Sequence, residues 1–451
     1  MVVIPAVVLA AGVGKRMRSA RPKVLHTLCG RPMLWFVLEA LREAGEVAPI
    51  VVIGHGADHV RRAIGDGVRY VEQPEPLGTG HAVMQAAPLL RDTDGPVIVL
   101  FGDTPLITPQ TLRRLLEHQR ATGAAAVLTS AVVDDPTGYG RVLRGGDGRV
   151  AGLVEEADCT SAQRAVREIN AGAYVFRTPD LLEALPHLTR DNAQGEFYLP
   201  DAVLWLLRQG RCVEAVEGNP EEVLGINSRR HLAHVEGVMR ARILDRLMDA
   251  GVTVVDPATT FVHAGVEVGQ DTVIHPFSTL GEETRVGQDC VIGPHAHLIG
   301  ARVGDEVTIL ASTVEHSEIG EGTTIGPYAH LRPGNVIGRR VEIGNYAELK
   351  NARVGDHTKI HHMSYIGDAV LGARVNIGAG TVTCNFDGRA KHVTHIEDEV
   401  FIGSDTMLVA PIRLGRGAVT GAGSVVTKDV PPRGVAVGVP ARVIRYRAKD
   451  E

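Results

Sequence analysis

After residue 251 the chain follows a six-residue period. An aliphatic side chain stands at every sixth position, the phase slips, and the pattern then resumes. A period of six matches neither an α-helix nor an isolated strand, and it is the signature of a parallel β-helix whose coils have three short sides. Over residues 251–451 it predicts roughly nine coils around a narrow core. The periodic positions are Val262, Val268, Ile274, Leu280, Val286, Ile292, Leu298, Ile319, Ile325, Leu331, Ile337, Ile343, Leu349, Ile396, Ile402, Leu408 and Leu414.

Two further features of this half bear on its shape. Glycine often follows the periodic residue, as in Val268-Gly269 and Ile343-Gly344, and we expect it to let the backbone turn a corner of the coil. One stretch, CNFDGRAKHVTH at residues 384–395, has no aliphatic period and is predicted to loop out. Solenoids tolerate insertions on one face, which is often the binding face.

The first half of the chain has a different pattern, in which short β-rich runs alternate with helical segments. Strands are predicted at residues 6–10, 49–54 and 96–103, and a helix is predicted at residues 33–45. This alternation is typical of an α/β fold with a mostly parallel sheet covered by helices. The first half is therefore expected to carry a Rossmann-like sheet.

Apolar residues then recur at helical spacing over residues 228–248. This pattern predicts a helix that connects the two halves. The chain is therefore predicted to contain an α/β domain at residues 1–226, a linker helix at residues 227–250 and a β-helix domain at residues 251–451.

Length and composition narrow the class of protein. The 451 residues are too many for a single core, so two or three domains are expected. A formal net charge of −6 without a long basic run argues against a nucleic-acid partner. No run approaches the roughly 18 apolar residues of a membrane span, so no membrane partner is expected. The five scattered cysteines, without a CxxC, favour a reducing compartment, and a cytoplasmic enzyme is the expectation.

The stretch LAAGVGKRMRSARPKVLH, residues 9–26, turns from apolar to strongly basic. It matches neither the GxxxxGK[ST] nor the GxGxxG phosphate fingerprint. Gly12 and Gly14 nevertheless permit close approach of the backbone to an anion, and five basic side chains follow. Two interpretations stay open on these residues alone, an anion site and a solvated basic turn. The basic side chains are Lys15, Arg16, Arg18, Arg21 and Lys23.

Asp103 closes the buried run VIVLFGD. Parallel sheets bind ligands at the C-terminal ends of their strands, and Asp103 is predicted to lie there. A carboxylate at that place can anchor Mg²⁺, which prefers oxygen ligands and bridges phosphates. The alternative is that Asp103 caps the helix that follows. A second glycine turn, LGTGHA at residues 77–82, stands beside another predicted helix start.

Motifs in both halves resemble known enzymes. LAAGVGKRM, RPKVLH, QPEPLGTGHAV, GDTPLI, PTGYGR, VEEAD and INAG resemble the sugar-1-phosphate nucleotidyltransferases, in the branch that uses N-acetylglucosamine 1-phosphate and UTP. LRPGNVIG, AELKNARVG, HHMSYIGDAVLG, NIGAGTVTCNFDG and GSDTMLVAPI resemble the acetyltransferase half of a bifunctional family. Because the motifs cover nearly the whole chain in order, the protein resembles the N-acetylglucosamine-1-phosphate uridyltransferase/glucosamine-1-phosphate acetyltransferase family.

The resemblance implies an enzyme that makes UDP-N-acetylglucosamine, a precursor of peptidoglycan, cell wall and lipopolysaccharide. Acetyl-CoA would acetylate glucosamine 1-phosphate, and UTP with Mg²⁺ would then uridylylate the product and release pyrophosphate. The resemblance also implies a left-handed β-helix and a homotrimer. The general crossover rule favours a right-handed connection, so the left hand rests on the resemblance alone. A homotrimer has a physical motive, since association can bury the flat solenoid sides.

For the N-terminal half, the resemblance implies a nucleotide site, a metal site and a sugar site. Arg16 would stabilise the triphosphate as a catalytic residue, and Asp103 with Asn227 would hold Mg²⁺. The residues expected to bind UTP and UDP-N-acetylglucosamine are Leu9, Ala10, Ala11, Gly12, Lys23, Gln73, Gly78, Thr79, Phe101, Gly102, Asp103 and Asn227, with Gly140, Glu155 and Asn170 on the sugar.

For the C-terminal half, adjacent strand residues face opposite ways, so at most one of His361 and His362 is expected to face a shared cleft. The resemblance selects His362 as general base, with Glu348 as the residue that orients its imidazole. An imidazole can accept a proton near neutral pH. The implied contacts are Arg332, Lys350, Tyr365 and Asn376 for glucosamine phosphate, and Ala379, Asn385, Phe386, Ser404 and Ala422 for acetyl-CoA.

Two positions depart from the family pattern. Phe386 stands where tyrosine is common, so a hydroxyl contact is expected to be missing. Gly438 stands where some relatives carry an arginine that binds the CoA phosphate, and Arg442 or Arg445 would have to substitute for it. These departures put the acetyl-CoA contacts, rather than the nucleotide contacts, in doubt.

A monofunctional nucleotidyltransferase with a structural β-helix is the alternative interpretation. His362, Lys350 and the looped-out residues 384–395 favour two activities, since a purely structural solenoid needs none of them.

Overall fold

The computed structural model describes residues 3–448. The chain divides into two compact units between residues 239 and 240, inside a long helix. Within the described residues, no helix combines the length and the apolar character that crossing a membrane requires. The eight helices of residues 3–448 are α1 (Met33–Ala44), α2 (Ala57–Ile64), α3 (Thr79–Ala86), α4 (Pro109–Thr122), α5 (Ser161–Arg164), α6 (Thr178–Ala184), α7 (Pro200–Arg208) and α8 (Arg229–Asp249).

The first unit contains a two-stranded sheet of β2 and β3 and is built on one mixed sheet whose central strands are mostly buried. Its order is β11-β7-β10-β6-β1-β4-β5, with β8 and β9 added as a hairpin beside β10. Strands β4, β1 and β6 are parallel, whereas β10 runs antiparallel to β6 and β7. The strands are β1 (Ile4–Leu9), β2 (Thr27–Leu28), β3 (Arg31–Pro32), β4 (Val47–Ile53), β5 (Arg69–Glu72), β6 (Pro96–Phe101), β7 (Ala126–Val132), β8 (Arg141–Arg144), β9 (Val150–Val154), β10 (Glu168–Arg177) and β11 (Val213–Glu217).

Strand β1 explains where this unit places its ligand-binding edge. All six residues of IPAVVL are buried, as expected for a central parallel strand covered on both faces. Pro5 is tolerated because the pairing of β1 with β6 begins only at Ala6. At the other end, Gly102 N donates to Leu9 O at 2.9 Å, so the loops that follow β1 and β6 meet at one edge of the sheet.

The linker prediction agrees with the structure in its helical part. Helix α8 covers residues 229–249, and Ser228 Oγ accepts a hydrogen bond from His231 N at 3.2 Å. Gly251 has a φ of 92°, which ends the helical path two residues after the helix.

The second unit is a parallel β-helix, as the six-residue period predicts. Each coil adds one short strand to each of three sheets, and every strand pairs in parallel with its counterpart in the next coil, except the antiparallel last strand β42. The first sheet contains β12 (Thr253–Val254), β15 (Val273–Ile274), β18 (Val291–Ile292), β21 (Thr308–Ile309), β24 (Thr324–Ile325), β27 (Glu342–Asn345), β30 (Lys359–His362), β33 (Asn376–Ile377), β36 (Phe401–Ile402), β39 (Val419–Thr420), β41 (Gly434–Gly438) and β42 (Ala441–Tyr446).

The other two sheets complete the coils. The second sheet contains β13 (Phe261–Val262), β16 (Thr279–Leu280), β19 (His297–Ile299), β22 (Thr313–Glu315), β25 (His330–Leu331), β28 (Glu348–Lys350), β31 (Tyr365–Gly367), β34 (Val382–Cys384), β37 (Met407–Val409) and β40 (Val425–Val426). The third sheet contains β14 (Glu267–Val268), β17 (Arg285–Val286), β20 (Arg302–Val303), β23 (Glu318–Ile319), β26 (Val336–Ile337), β29 (Arg353–Val354), β32 (Ala369–Leu371), β35 (Thr394–Ile396) and β38 (Ile412–Leu414).

Sixteen of the seventeen periodic residues are buried in the core of this unit, as predicted, and Val268 is half-buried. In the first sheet Ile292 pairs with Ile274 and Ile309, and all three side chains are fully buried. Stacked identical side chains fill a narrow interior without voids, which is why the sequence keeps an aliphatic residue there.

The predicted reason for the repeated glycines is corrected. Gly269 does not have a positive φ; instead, a Cβ there would lie 2.6 Å from Gln288 N of the next coil. The left-handed corner comes two residues later, at Asp271 with a φ of 60°, and the same offset recurs at Gly344 and Tyr346. These glycines are therefore required by the close stacking of coils, and the corner itself is occupied by other residue types.

Candidate active sites

A cavity of about 530 Å³ opens at the edge where β1 and β6 end. Ten of the residues predicted to bind the nucleotide line it, because the loops after these parallel strands converge there. The ten are Leu9, Ala10, Ala11, Gly12, Lys23, Gln73, Gly78, Thr79, Phe101 and Asp103.

Lys23 joins the two predicted metal ligands. Its ammonium donates to Asp103 Oδ2 in a very short contact and to Asn227 Oδ1 at 2.9 Å. The backbone supports the same arrangement, since Ile226 N donates to Asp103 O at 2.9 Å. Asp103 lies two residues beyond β6 and not within the strand. Residues 23, 103 and 227, distant in the sequence, thus meet at one point.

The donor set at this point suits a hard divalent cation. The carboxylate of Asp103 and the amide oxygen of Asn227 both reach the Lys23 ammonium, so two oxygen donors face one position. Mg²⁺ is commonly held by one or two carboxylates together with substrate phosphates. Within residues 3–448, no group of three or more His, Cys, Asp or Glu side chains forms a complete metal site.

The glycine turn at residues 77–80 is tied to a distant loop. Gly78 has a φ of 109°, and a Cβ there would lie 2.9 Å from Phe197 N, so only glycine fits. Gln73 Nε2 donates to Gly78 O at 3.0 Å, and Thr79 Oγ1 accepts from Leu199 N at 3.0 Å. These bonds hold Gln73 and Thr79 on the cavity wall.

The three predicted sugar contacts lie near one another. Asn170 N donates to Gly140 O at 2.8 Å, and a Cβ on Gly140 would lie 3.4 Å from Glu155 Oε1. Burial raises the pKa of Glu155, and the nearby charges of Asp201 and Asp158 raise it further. A half-buried carboxylate beside the Gly140 backbone suits hydrogen bonding to sugar hydroxyl or amide groups.

Six predicted residues lie outside the cavity lining: Arg16, Gly102, Gly140, Glu155, Asn170 and Asn227. Arg16 is exposed on a short 3₁₀ helix, Lys15–Met17, and its side chain lies outside the lining. Gly102 lies behind the wall, where its backbone bonds to Leu9.

Sequence reasoning missed part of the lining. Glu196 reaches the cavity because Phe197 N bonds to Leu77 O at 2.8 Å, and no local motif signals this long-range pairing. Burial, and then the carboxylates of Asp158, Glu155 and Glu196, raise the pKa of Tyr198 to about 12. The remaining unpredicted lining residues are Val13, Gly14, Lys15, Val24, Pro76 and Ala82.

In the second unit, His362 and three predicted acetyl-CoA contacts form one column along the edge of the first sheet. Gly380 N donates to His362 O at 3.3 Å, Asp405 N to Ala379 O at 2.6 Å, and Gly423 N to Ser404 O at 2.8 Å. We call this set the edge column; it contains Asn345, His362, Ala379, Ser404 and Ala422.

The two neighbouring histidines make different contacts. Strand β30 ends at His362 beside a corner, so both rings lie outside the core, with centroids 5.7 Å apart. His361 Nε2 lies 2.8 Å from Glu342 Oε2 and is held by it. His362 is exposed beside Ala379, and it does not point into the interior of the solenoid.

The predicted glucosamine-phosphate contacts fall on two sheets. Arg332 Nη1 donates to Glu348 Oε1 at 3.0 Å, and Glu348 pairs in register with Tyr365. Glu348 is therefore engaged by Arg332, and its role in orienting His362 stays a prediction. Asn376 begins β33 in the first sheet, away from this group.

A cationic group lies at the far end of the second sheet. Contact with the Lys391 side chain lowers the pKa of Lys350, and the Arg332 charge lowers it further. Lys391 was missed because it belongs to the stretch without periodicity. Lys350, Lys391 and Arg332 together suit a phosphate dianion.

The looped-out segment is an ordered turn between β34 and β35. Asp387 Oδ1 accepts from Arg389 N and Ala390 N, both at 2.8 Å, and Phe386 pairs with Lys391. Asn385 Nδ2 donates to Asp368 Oδ2 at 2.5 Å. Phe386 is 60% exposed. Asn385 and Phe386 follow the far end of β34, so the width of the second sheet separates them from the edge column.

Gly438 ends β41, at the turn into β42. Arg442 pairs with Val437 in this hairpin and is exposed, so it stands on the surface near Gly438.

The fold and the two sites define a nucleotidyltransferase joined to a hexapeptide-repeat acyltransferase. Residues 6–200 match the family model of the MobA-like NTP transferase domain, and residues 265–300 match that of the bacterial transferase hexapeptide (six repeats). Residues 313–413 match the GMPPB C-terminal domain.

Curated relatives extend this match over almost the whole chain. The Bifunctional protein GlmU of Heliobacterium modesticaldum is 49% identical over 96% of this chain and 94% of the relative. That of Brevibacillus brevis is 46% identical over 96% and 94%, and that of Pelotomaculum thermopropionicum is 51% identical over 91% and 90%. The chain belongs to the GlmU family of bifunctional enzymes.

Membership gives the protein its two activities. It is a glucosamine-1-phosphate acetyltransferase and an N-acetylglucosamine-1-phosphate uridyltransferase, and together these produce UDP-N-acetylglucosamine for peptidoglycan and cell-wall synthesis. The nucleotidyl transfer of this family calls for a divalent metal ion. The substrates are small molecules.

Proposed function

We propose that uridylyl transfer takes place in the cavity at the end of β1 and β6, with the residue roles that the motifs imply. The convergence of Lys23, Asp103 and Asn227 is the observation that carries this proposal. The backbone of residues 9–12 and the side chain of Gln73 bind the uridine nucleotide. Gly140, Glu155 and Asn170 bind the sugar, whose phosphate faces the triphosphate.

Mg²⁺ is the proposed divalent ion, held by Asp103 and Asn227. When bound, it stabilises negative charge on the transferring phosphoryl group. Oxygen donors at the end of a parallel strand support the choice of a hard cation.

The chain's own residues position the reactants and neutralise charge. A phosphate oxygen of N-acetylglucosamine 1-phosphate attacks the α-phosphorus of UTP in line. A new P–O bond forms while the bond to the β-phosphate breaks, and pyrophosphate leaves. Lys23 and Arg16 place positive charge beside the oxygens that gain negative charge. No covalent enzyme intermediate is required.

We further propose that acetyl transfer takes place along the edge column. His362 accepts a proton from the 2-ammonium group of glucosamine 1-phosphate. The freed amine attacks the thioester carbonyl of acetyl-CoA, a C–N bond forms, the C–S bond breaks, and the thiol of CoA leaves with a proton. The small side chains of Ala379, Ser404 and Ala422 leave room beside His362 for the acyl chain.

The same proposal includes a homotrimer with a left-handed β-helix. Along one corner of the coils, several residues with bulky side chains have left-handed φ values, which such residues rarely adopt. Their side chains are exposed. Phe277 stacks on His295 at 5.0 Å, and Tyr328 on Tyr346 at 5.5 Å. This surface, which we call the corner ridge, contains Phe277, His295, Tyr328, Tyr346 and Met363.

The corner ridge directly follows the edge column, since Tyr346 succeeds Asn345 and Met363 succeeds His362. A second copy packed on the ridge would bury its apolar surface. It would also bring another chain's Asn385 and Phe386 towards His362, which the width of the second sheet prevents within one chain. The division into residues 1–226, 227–250 and 251–451 and the cytoplasmic location stay predictions.

Two assays on the purified chain test the proposal. With N-acetylglucosamine 1-phosphate, UTP and Mg²⁺ we expect release of pyrophosphate, and EDTA should stop it. With glucosamine 1-phosphate and acetyl-CoA we expect release of free thiol, and EDTA should leave it unchanged. Pyrophosphate release that survives EDTA would contradict the metal assignment.

A further inference from the structure

Arg141 carries a buried charge that the reaction does not use directly. Its side chain is 1% exposed, although arginine is almost never fully buried without a specific reason. The guanidinium forms an ion pair with Glu156, with Nη2 and Oε2 2.7 Å apart. It also donates to Tyr139 O in a short hydrogen bond and to Arg164 O at 3.3 Å.

These contacts join the segments that carry the sugar residues. Tyr139 O belongs to the residue before Gly140, and Glu156 follows Glu155 directly. Strand β8 begins at Arg141 itself, which pairs with Ile169, the neighbour of Asn170. One side chain thus touches the residue next to Gly140 and the residue next to Glu155, and its backbone stands beside the residue next to Asn170.

We propose that Arg141 is a positioning residue for the sugar phosphate in uridylyl transfer. It sets the distance between the Gly140 backbone and the Glu155 carboxylate, and it does not contact the substrate. This inference rests on the proposed assignment of Gly140, Glu155 and Asn170 to the sugar.

The chemistry of arginine explains why this position needs it. The guanidinium is planar, always charged and offers five donors in a fixed fork. It can therefore hydrogen-bond two carbonyl oxygens and form an ion pair with a carboxylate at the same time. A lysine at this position keeps the charge but presents a single nitrogen, so it cannot hold all three acceptors in the same geometry.

The alternative role, stability alone, makes a different prediction. A buried ion pair is weak evidence for net stability, because the energy needed to remove both charges from water offsets their attraction. A purely structural Arg141 would change the melting temperature and the active fraction, leaving the KM of each substrate unchanged. A positioning Arg141 changes the KM for the sugar phosphate selectively.

The strand offers a matched control. Arg144, at the other end of β8, pairs with Glu168 through Nε at 2.9 Å and Nη2 at 2.5 Å, and it donates to Gly148 O at 3.1 Å. It makes an ion pair and a carbonyl contact, as Arg141 does, but none of its partners adjoins a sugar residue. Arg144→Lys should therefore leave both KM values and kcat close to wild type.

The experiment compares Arg141→Lys, Arg144→Lys and Glu155→Gln in the full-length chain. For Arg141→Lys we expect kcat/KM for N-acetylglucosamine 1-phosphate to fall by about 10- to 100-fold, mainly through KM, since small displacements of positioning groups have effects of this size. The KM for UTP and the rate of acetyl transfer should stay unchanged. Glu155→Gln tests the sugar site itself. An unchanged sugar KM in that variant would contradict the assignment of the sugar site, whereas Arg141→Lys tests the positioning role, so the two failures can be told apart.

Three results would overturn the inference. The first is a fall in kcat with both KM values unchanged in Arg141→Lys, and the second is an equal change in Arg144→Lys. If Arg141→Lys does not fold, Glu156→Gln weakens the same contact while it keeps an acceptor, and its sugar KM should rise by a smaller factor. An unchanged sugar KM in a folded Glu156→Gln variant would likewise overturn the inference.

Discussion

The two candidate sites of this chain are built in opposite ways. The N-terminal site is a partly enclosed cavity of about 530 Å³, where loops from one sheet edge bring predicted residues into direct contact within one chain. The C-terminal site is an exposed column on a solenoid face, and its predicted residues are spread over two sheets. When loops converge at a sheet edge, one chain can supply a whole site. When coils stack in a solenoid, the site residues lie spread along its surface.

The difference has consequences for mutation. Lys23 contacts two partners that are 80 and 204 residues away, so a change at the N-terminal site disturbs an interlocked set. His362 is exposed, and its neighbours in the edge column are Asn345 and Ala379, so removal of its ring should leave the coil intact. Variants can therefore separate chemistry from folding more cleanly in the second unit.

The largest effect is expected for His362→Ala. Loss of a general base lowers a rate by about 10²- to 10⁴-fold, so thiol release from acetyl-CoA should fall by that factor. Pyrophosphate release should stay at the wild-type rate, because the two sites belong to different units. Parallel assays of the two reactions on one preparation measure both effects.

His361→Ala is the matched control for this variant. It removes the neighbouring ring, which Glu342 holds 2.8 Å away, and it should keep most of the acetyl transfer. If His361→Ala lost activity and His362→Ala kept it, the assignment of the base would be wrong.

The next effect is expected for Asp103→Asn at the enclosed site. The change removes the carboxylate charge from the point where Lys23 and Asn227 meet, and uridylyl transfer should fall by about 10²- to 10³-fold. Acetyl transfer serves as the control within the same molecule and should not change. Full uridylyl transfer by Asp103→Asn would mean that this carboxylate neither holds the metal nor positions Lys23.

Much of the N-terminal site could be predicted from the sequence. Parallel strands expose their C-terminal ends at one edge, so Asp103 was predicted to lie there, and the loops after β1 and β6 do meet at this edge. The approach of Glu196 and the burial of Arg141 were not predictable, because both depend on tertiary pairing and not on any local pattern. Arg16, which the resemblance assigns to the triphosphate, is exposed and lies outside the cavity lining, and its role stays a prediction.

For the solenoid, the sequence predicted the core better than it predicted the site. The six-residue period predicted the interior residue by residue, since a one-residue shift moves a side chain from the core to the surface. The period carries no information about which outward residues share a column, because coils vary in length. The adjacency of Lys350 and Lys391 was therefore missed, and the reason for the repeated glycines was misjudged.

A smaller effect should show whether the open site needs a second chain. Tyr346 is 63% exposed on the corner ridge, so Tyr346→Glu places a charge on the proposed interface without disturbing the core. We expect dissociation of the trimer by light scattering and a loss of acetyl transfer of about tenfold or more, as an interface charge left unpaired is strongly unfavourable. Uridylyl transfer should be unaffected.

Val370→Glu gives the comparison for that variant. Val370 is also exposed and apolar, but it lies on the third sheet, away from the ridge. It should keep both the association state and the acetyl transfer. Full acetyl transfer by a monomeric Tyr346→Glu protein would show that one chain suffices.

The smallest effect is expected for Glu155→Gln in the enclosed site, where function and stability should respond in opposite directions. Loss of a charged acceptor should raise the KM for the sugar phosphate by about 2- to 10-fold. Burial raises the folded-state pKa of Glu155, so the folded state binds the proton more tightly than the unfolded state and loses stability as pH rises through that pKa. Glutamine removes this penalty. The melting transition to follow is the one that added UTP shifts. At pH 8 its melting temperature should therefore be higher for Glu155→Gln than for wild type, and this difference should disappear as the pH falls towards 4. If the variant is less stable than wild type at pH 8, the folded protein stabilises the Glu155 carboxylate instead of penalising it. The charge in the N-terminal site would then carry no net penalty, as is true of the solvated charges in the C-terminal site.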